Sequence, residues 1–262
     1  MKSKKRKRKW NIRKYIAIIL ISVSLACGAY FLYDYFLGSK TIPSVEKLIQ
    51  EKRDIKFSDK DENQPNIINY VNELPNFRSQ YGNANIMGRL EIPNMNINTL
   101  VTRTTNNEYY LNYNLYNQYD ALGVPFFDYR NTSLSTDRQI NIYGHNTTNS
   151  KYLDQLPFIN LEAYVDENIF NNYKDVYLSI DEKQIHYEIV AVKIITNADY
   201  EHMKVIFYSD EDFLKHVAKL LDNTLYKDSN IMISAEDHLL VLQVCHYNPP
   251  HTYLLVICQE KK

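Results

Sequence analysis

Hydrophobic and polar positions along the chain fall into three regimes. Tyr15–Tyr33 is an uncharged run of nineteen residues, extendable through Tyr35-Phe36-Leu37 if Asp34 lies at an interface. That length suits one helical crossing of a bilayer. Over residues 38–85 apolar side chains recur at helical spacing. Val45, Leu48 and Ile49 follow the break Ile42-Pro43-Ser44, and Ile67, Ile68, Val71 and Leu74 precede Pro75. The spacing predicts two short helices, the second ended by Pro75. From Ile86 the period changes to that of strands.

The strand signals come in order. Met87–Pro93 alternates, Ile97–Thr102 is short and branched, and Gly123–Asp128 is apolar. Ile140–Gly144 is a strand that delivers His145. Asn172–Ser179 and Ile185–Ile195 form a predicted hairpin, and Leu239–Cys245 and Tyr253–Cys258 close the chain as two strands. Glu108–Tyr119, rich in Tyr and Asn, reads as irregular. Tyr152–Ile159 and Leu161–Tyr164 read as a short helix and a turn. Asp210–Asn223 reads as a helix with Phe213, His216, Val217, Leu220 and Leu221 on one face. Many short strands with few helices predict a mainly β protein, a barrel or sandwich with helical insertions.

Charge sharpens the organisation. Of 30 basic residues nine lie within residues 1–14, which hold no acid, so the rest of the chain has 21 basic against 31 acidic residues, a net of −10. A basic block directly before an apolar run is expected to stay cytoplasmic, with the body outside the cell. A cleaved signal peptide fits less well, because the run is long and no A-x-A site follows. The expected segments are a basic head at 1–14, a transmembrane anchor at 15–37, a stalk with helices at 38–85, and a β domain at 86–262. The acidic body argues against nucleic acid as a partner. With six Gly in the whole chain and no phosphate-loop pattern, no cofactor is expected.

Three cysteines are present, Cys27, Cys245 and Cys258, with no CxxC. Cys27 falls in the apolar run, and Cys258 reads as a small core residue. Cys245 ends an unbroken apolar strand just before a loop carrying Pro249 and Pro250. Leu240, Leu242 and Val244 point one way there, Val241, Gln243 and Cys245 the other. A lone cysteine at a strand end is either an inert core residue or a nucleophile, and a nucleophilic thiol needs a base. His145 ends another core strand with the same parity, opposite the face of Ile140 and Ile142, so the two can meet at one rim. His246 adjoins Cys245 but points to the other side, and reads as an exposed loop histidine. A metal site from Cys245, His246 and His251 lacks a ligand spacing, so no metal is expected.

Five stretches resemble the sortase family of membrane-anchored cysteine transpeptidases, class B most of all. They are Gly88–Pro93, Asn106–Leu111, Gly123–Asn131 (GVPFFDYRN), Ile142-Tyr143-Gly144-His145-Asn146, and Leu242-x-x-Cys245. The histidine motif is the specific one, and the resemblance covers roughly residues 40–260. It implies a closed sortase-like β-barrel with N-terminal and inserted helices. It also implies Cys245 as nucleophile and His145 as acid and base. The implied partners are secreted proteins with a C-terminal sorting signal, and an amine of peptidoglycan or pilin as acceptor. Two departures stand out. Val241 and Val244 replace the two Thr of the family's cysteine motif. No Arg follows Arg138, although the family carries one soon after the cysteine. His251 and Tyr253 are the candidate substitutes for its hydrogen bonds, and an alternative reading is a degenerate sortase-fold binder with little turnover.

Overall fold

The computed structural model describes residues 70–93, 95–147, 155–196 and 201–262, and nine positions between 15 and 29. The chain divides into two compact units, Met1–Ser44 and Val45–Lys262. In the first, Tyr15, Ala17, Leu20, residues 22–24 and residues 27–29 are helical. Among the described residues no helix is long and apolar enough to cross a membrane. Most of the expected anchor 15–37, and the helix expected at 45–49, lie outside the described residues.

Among the described residues of the second unit nine strands form one sheet: β1 (Ile86–Ile92), β2 (Ile97–Thr102), β3 (Phe126–Phe127), β4 (Gln139–Gly144), β5 (Asp175–Ser179), β6 (Gln184–Thr196), β7 (Tyr226–Lys227), β8 (Leu239–His246) and β9 (Thr252–Glu260). Their order is β5-β1-β2-β3-β4-β8-β9-β6-β7, and β5 also pairs with β6. That last pairing closes eight strands into a barrel and leaves β7 beside the long β6. Closure removes the exposed edges of an open sheet. The expected 172–195 hairpin is the antiparallel pair β5–β6.

The barrel is filled from the inner faces of its strands by Leu90, Ile140, Ile142, Leu240, Leu242, Val244, Leu254, Val256 and Cys258 among others. A second core lies outside the barrel wall, where Val241, Leu239, Leu255 and Ile257 meet Phe213, Val217 and Leu220 of the helix α3 (Asp210–Leu220). Two cores explain why β8 and β9 are apolar on both faces instead of alternating. Ser209 caps α3, accepting from the Asp212 amide at 3.1 Å, with three acids in the first turn beside the positive end of the helix dipole. A 3₁₀ segment, Pro157–Val165, covers the barrel beside β2, β8 and β9, and a short helix α2 (Glu167–Asn172) packs against that segment.

Pro75 does not end a helix. It sits in the first turn of α1 (Leu74–Tyr81), where a residue without an N–H loses nothing. Gly82 stops α1 in the left-handed conformation (φ 59°), and the Asn83 amide closes the cap on Arg78 O at 3.0 Å. Leu74, Phe77 and Tyr81 pack α1 on Ile86 and Leu100. Gly123–Asp128 contributes only the two-residue strand β3.

Candidate active site

The site begins with register. β4 and β8 run parallel as neighbours, paired from Gln139↔Leu239 to Gly144↔Val244. His145 and Cys245 each follow by one residue, so they stand level on adjacent strands. Parity puts both on the outer face of the barrel, away from Ile142 and Leu242. Both line one cleft of about 380 Å³.

Gly144 is there because the strand end passes directly over the 3₁₀ segment. A Cβ at Gly144 would stand 2.3 Å from Cδ2 of Phe158 and 2.9 Å from its Cβ. His145 Nε2 bonds the Leu111 carbonyl at 2.8 Å. A carbonyl only accepts, so Nε2 carries the proton and Nδ1 is the nitrogen left for the cleft. Burial, with the Glu162 carboxylate, pushes the Cys245 thiol above the ordinary thiol range, so the resting sulfur is protonated at neutral pH.

Tyr253 is paired directly across β8–β9 from Cys245 and lines the same cleft. His251 is exposed in the turn between these strands, at φ 61°, and does not line the cleft. Of the two candidate substitutes, only Tyr253 stands beside the thiol. The remaining walls are Leu111, Phe126, Ile195, Met203 and Val244, with Asn107, Gln243 and Tyr143 as polar groups. Among the described residues no Arg or Lys lines the cleft.

Behind Tyr143 lies a charged group that sequence reasoning did not single out, although both partners fall in Gly123–Asn131. Asp128 is fully buried and accepts from Tyr143 Oη at 2.7 Å and from Arg130 Nε at 2.8 Å and Nη2 at 2.6 Å. Burial pushes its carboxyl up, but the Arg130 and Tyr143 bonds outweigh this and hold it below the usual range. Arg130 Nη2 also donates to the Met203 carbonyl at 2.8 Å. The Arg130 guanidinium is thereby engaged behind the cleft wall that Tyr143 and Met203 line.

His246 is not an exposed loop histidine. The β8–β9 ladder runs on to His246↔Thr252, which turns the ring to the inner side, where it is buried. Its Nδ1 meets Glu162 Oε2 at 2.8 Å, and its Nε2 bonds the Asn248 carbonyl. Asn146 donates to the Cys245 carbonyl and to Glu162 Oε1, each at 2.8 Å. Asn146 sat inside the histidine motif; nothing in the sequence pointed to Glu162. Cys245 and Cys258 are both free thiols, on opposite faces of the wall, and among the described residues no His/Cys/Asp/Glu group could hold a metal.

A closed barrel with a cysteine and a histidine level at one rim defines a sortase-like protein, as the sequence resemblance implied. No protein-family model matches the chain. Sortase B of Listeria monocytogenes is 27% identical over 164 residues, which are 62% of this chain and 63% of that one. The chain thus matches somewhat less than two thirds of that relative's length. Sortase B of Staphylococcus aureus is 23% identical over 237 residues, 88% of each chain. The crystal structure of Clostridium perfringens sortase B superposes with a TM-score of 0.65 at 26% identity, covering 72% of this chain and 99% of that one. In sequence and in fold the chain is similar to class B sortases.

Proposed function

We propose that the protein is a membrane-anchored sortase-type cysteine transpeptidase. The observation that carries this is the β4–β8 register, which sets His145 and Cys245 side by side on one face of a cleft. Cys245 Sγ, its proton passing to His145, attacks the carbonyl carbon of a Thr in a sorting motif near the C-terminus of a secreted protein. The Thr–Gly or Thr–Asn C–N bond breaks, His145 returns a proton to the leaving amine, and a thioester remains on Cys245. An incoming amine, from peptidoglycan or a pilin lysine, gives its proton to His145 and attacks the thioester, releasing the thiol. Tyr253, across the ladder from Cys245, donates the hydrogen bond that the family's arginine supplies elsewhere. A neutral phenol offers one donor where a guanidinium offers a charged fork, so turnover is expected to be modest. The apolar run 15–37 behind nine basic residues anchors the chain with its N-terminus in the cytoplasm and the barrel outside the cell.

The test is incubation of the full chain, in detergent, with labelled sorting peptides, followed by intact-mass measurement. The expected result is a thioacyl adduct present in the native sequence and absent from Cys245→Ala. A panel that yields no adduct, or an adduct that survives the substitution, overturns the reading. A second reading, a sortase-fold binder with little turnover, is favoured by the absence of any Arg or Lys among the described cleft residues. It predicts peptide binding that Cys245→Ala leaves intact, with no adduct at all.

A further inference from the structure

The ladder between β4 and β8 stops one residue too early to place the two reactive groups. Its last pair is Gly144↔Val244, and His145 and Cys245 follow just beyond it; β8 stays paired to β9 through Cys245↔Tyr253 and His246↔Thr252, whereas β4 ends at Gly144. The end of β4 therefore has the weaker backbone support, and a displacement of about 1 Å between reacting groups costs on the order of 10²-fold in rate.

Side chains take over at that point. Asn146 Nδ2 reaches from the β4 end to the Cys245 carbonyl at 2.8 Å and to Glu162 Oε1 at 2.8 Å. The same carboxylate holds His246 Nδ1 at 2.8 Å on the β8 end. Tyr247 Oη donates back to the Asn146 carbonyl at 2.9 Å. Glu162 rides on the 3₁₀ segment whose Phe158 abuts Gly144. Asn146 and His246 are both buried, and a buried polar cluster is not a cheap way to gain stability. What it provides is fixed geometry.

We propose that Asn146 and Glu162 are positioning residues, a brace that holds Cys245 and His145 at their working separation without touching substrate. The proposal rests on the pairing of Cys245 with His145 in the transpeptidase reading. Asn146 ties the two strand ends to each other, and Glu162 ties both to the 3₁₀ segment. The brace acts from the inner side of the wall, so the cleft stays free for a peptide.

Two measurements on the full chain decide it. The first is the rate at which iodoacetamide alkylates Cys245, which needs no substrate. His145→Ala is expected to change that rate and its pH profile in the native background, and to add nothing in an Asn146→Ala background. An equal effect of His145→Ala in both backgrounds overturns the brace. No effect in either background overturns it together with the Cys–His pairing. The second is acylation by a sorting peptide, per folded molecule. Asn146→Ala and Glu162→Ala are expected to lower kcat by about 10- to 100-fold with KM within about threefold, while Glu162→Gln, which keeps an acceptor for Asn146, restores most of it. Native kcat per folded molecule in both alanine variants, with only the folded fraction reduced, shows a purely structural role and overturns the proposal. If the native chain forms no adduct, the transpeptidase reading fails, and the alkylation cycle alone decides the brace.

Discussion

The outer face of β4 and β8 has two ends built from similar residue types and put to opposite uses. At the lower end, Gln139 and Asn141 sit beneath α3. Gln139 Oε1 meets His216 Nε2 at 2.8 Å, and Asn141 donates to the Met203 carbonyl at 2.9 Å. That histidine is sealed, with its pKa pushed down to about 4 by burial first, then by Lys204 and His202. At the upper end His145 is likewise bonded through Nε2, but among the described residues no α-helix covers it, and a cysteine stands beside it over a cleft. One wall therefore meets a structural histidine from α3 at one end and carries a candidate catalytic one at the other. What separates them is cover: His216 is buried on α3 with its ring bonded to Gln139, while His145 is only half-buried and lines the cleft.

The comparison breaks most sharply at the open end. Tyr253→Phe removes one hydroxyl from the cleft and no packing. Peptide acylation is expected to fall about 10²–10³-fold, with the unfolding midpoint unmoved. Acylation at the native rate would show that Tyr253 does not stand in for the arginine.

At the sealed end the expected effect is on stability. A base whose folded pKa is depressed prefers to be neutral in the native state. Its contribution is therefore complete above the ordinary histidine value of 6.5 and lost as pH falls toward about 4. By pH 4 the loss amounts to about 3 kcal/mol from this side chain alone. Urea unfolding at pH 7 and pH 4.5 should show a smaller pH-dependent loss in His216→Gln than in the native chain. Equal losses in both would remove His216 as the cause.

Gly144, just below the rim, joins the two ends. An added Cβ meets the Phe158 ring at 2.3 and 2.5 Å, so either the strand end or the 3₁₀ segment must move. Gly144→Ala is expected to destabilise the fold by about 1–3 kcal/mol and to lower acylation further than the stability loss explains. Full acylation in the folded fraction would show that the rim tolerates the shift.

Much of this organisation was legible along the chain. Period-two alternation marked β1 and β6, and the continuous apolar run of β8 signalled cover on both faces. Of the α3 face read off as Phe213, His216, Val217, Leu220 and Leu221, the first four are buried, and Leu221 follows the helix half-buried. The parity of His145 and Cys245 was readable too, because side chains alternate along any strand whatever its neighbours. Pro75 misled because proline marks a helix start as well as an end, and its own position does not say which. His246 misled because the ladder with β9 runs one pair past the cysteine.

The sequence by itself determined where most of the strands lie, which face of each is apolar, and that a cysteine and a histidine close two of them. Pairing partners are a different kind of information, since backbone hydrogen bonds between distant strands leave no periodic trace. Only the tertiary structure decided that β4 lies beside β8 in a register that levels His145 with Cys245. Only it decided that Tyr253 rather than His251 stands across from the thiol, and that Glu162 closes the back of the rim. Each of those depends on barrel closure, which is a property of the whole sheet and of no single segment.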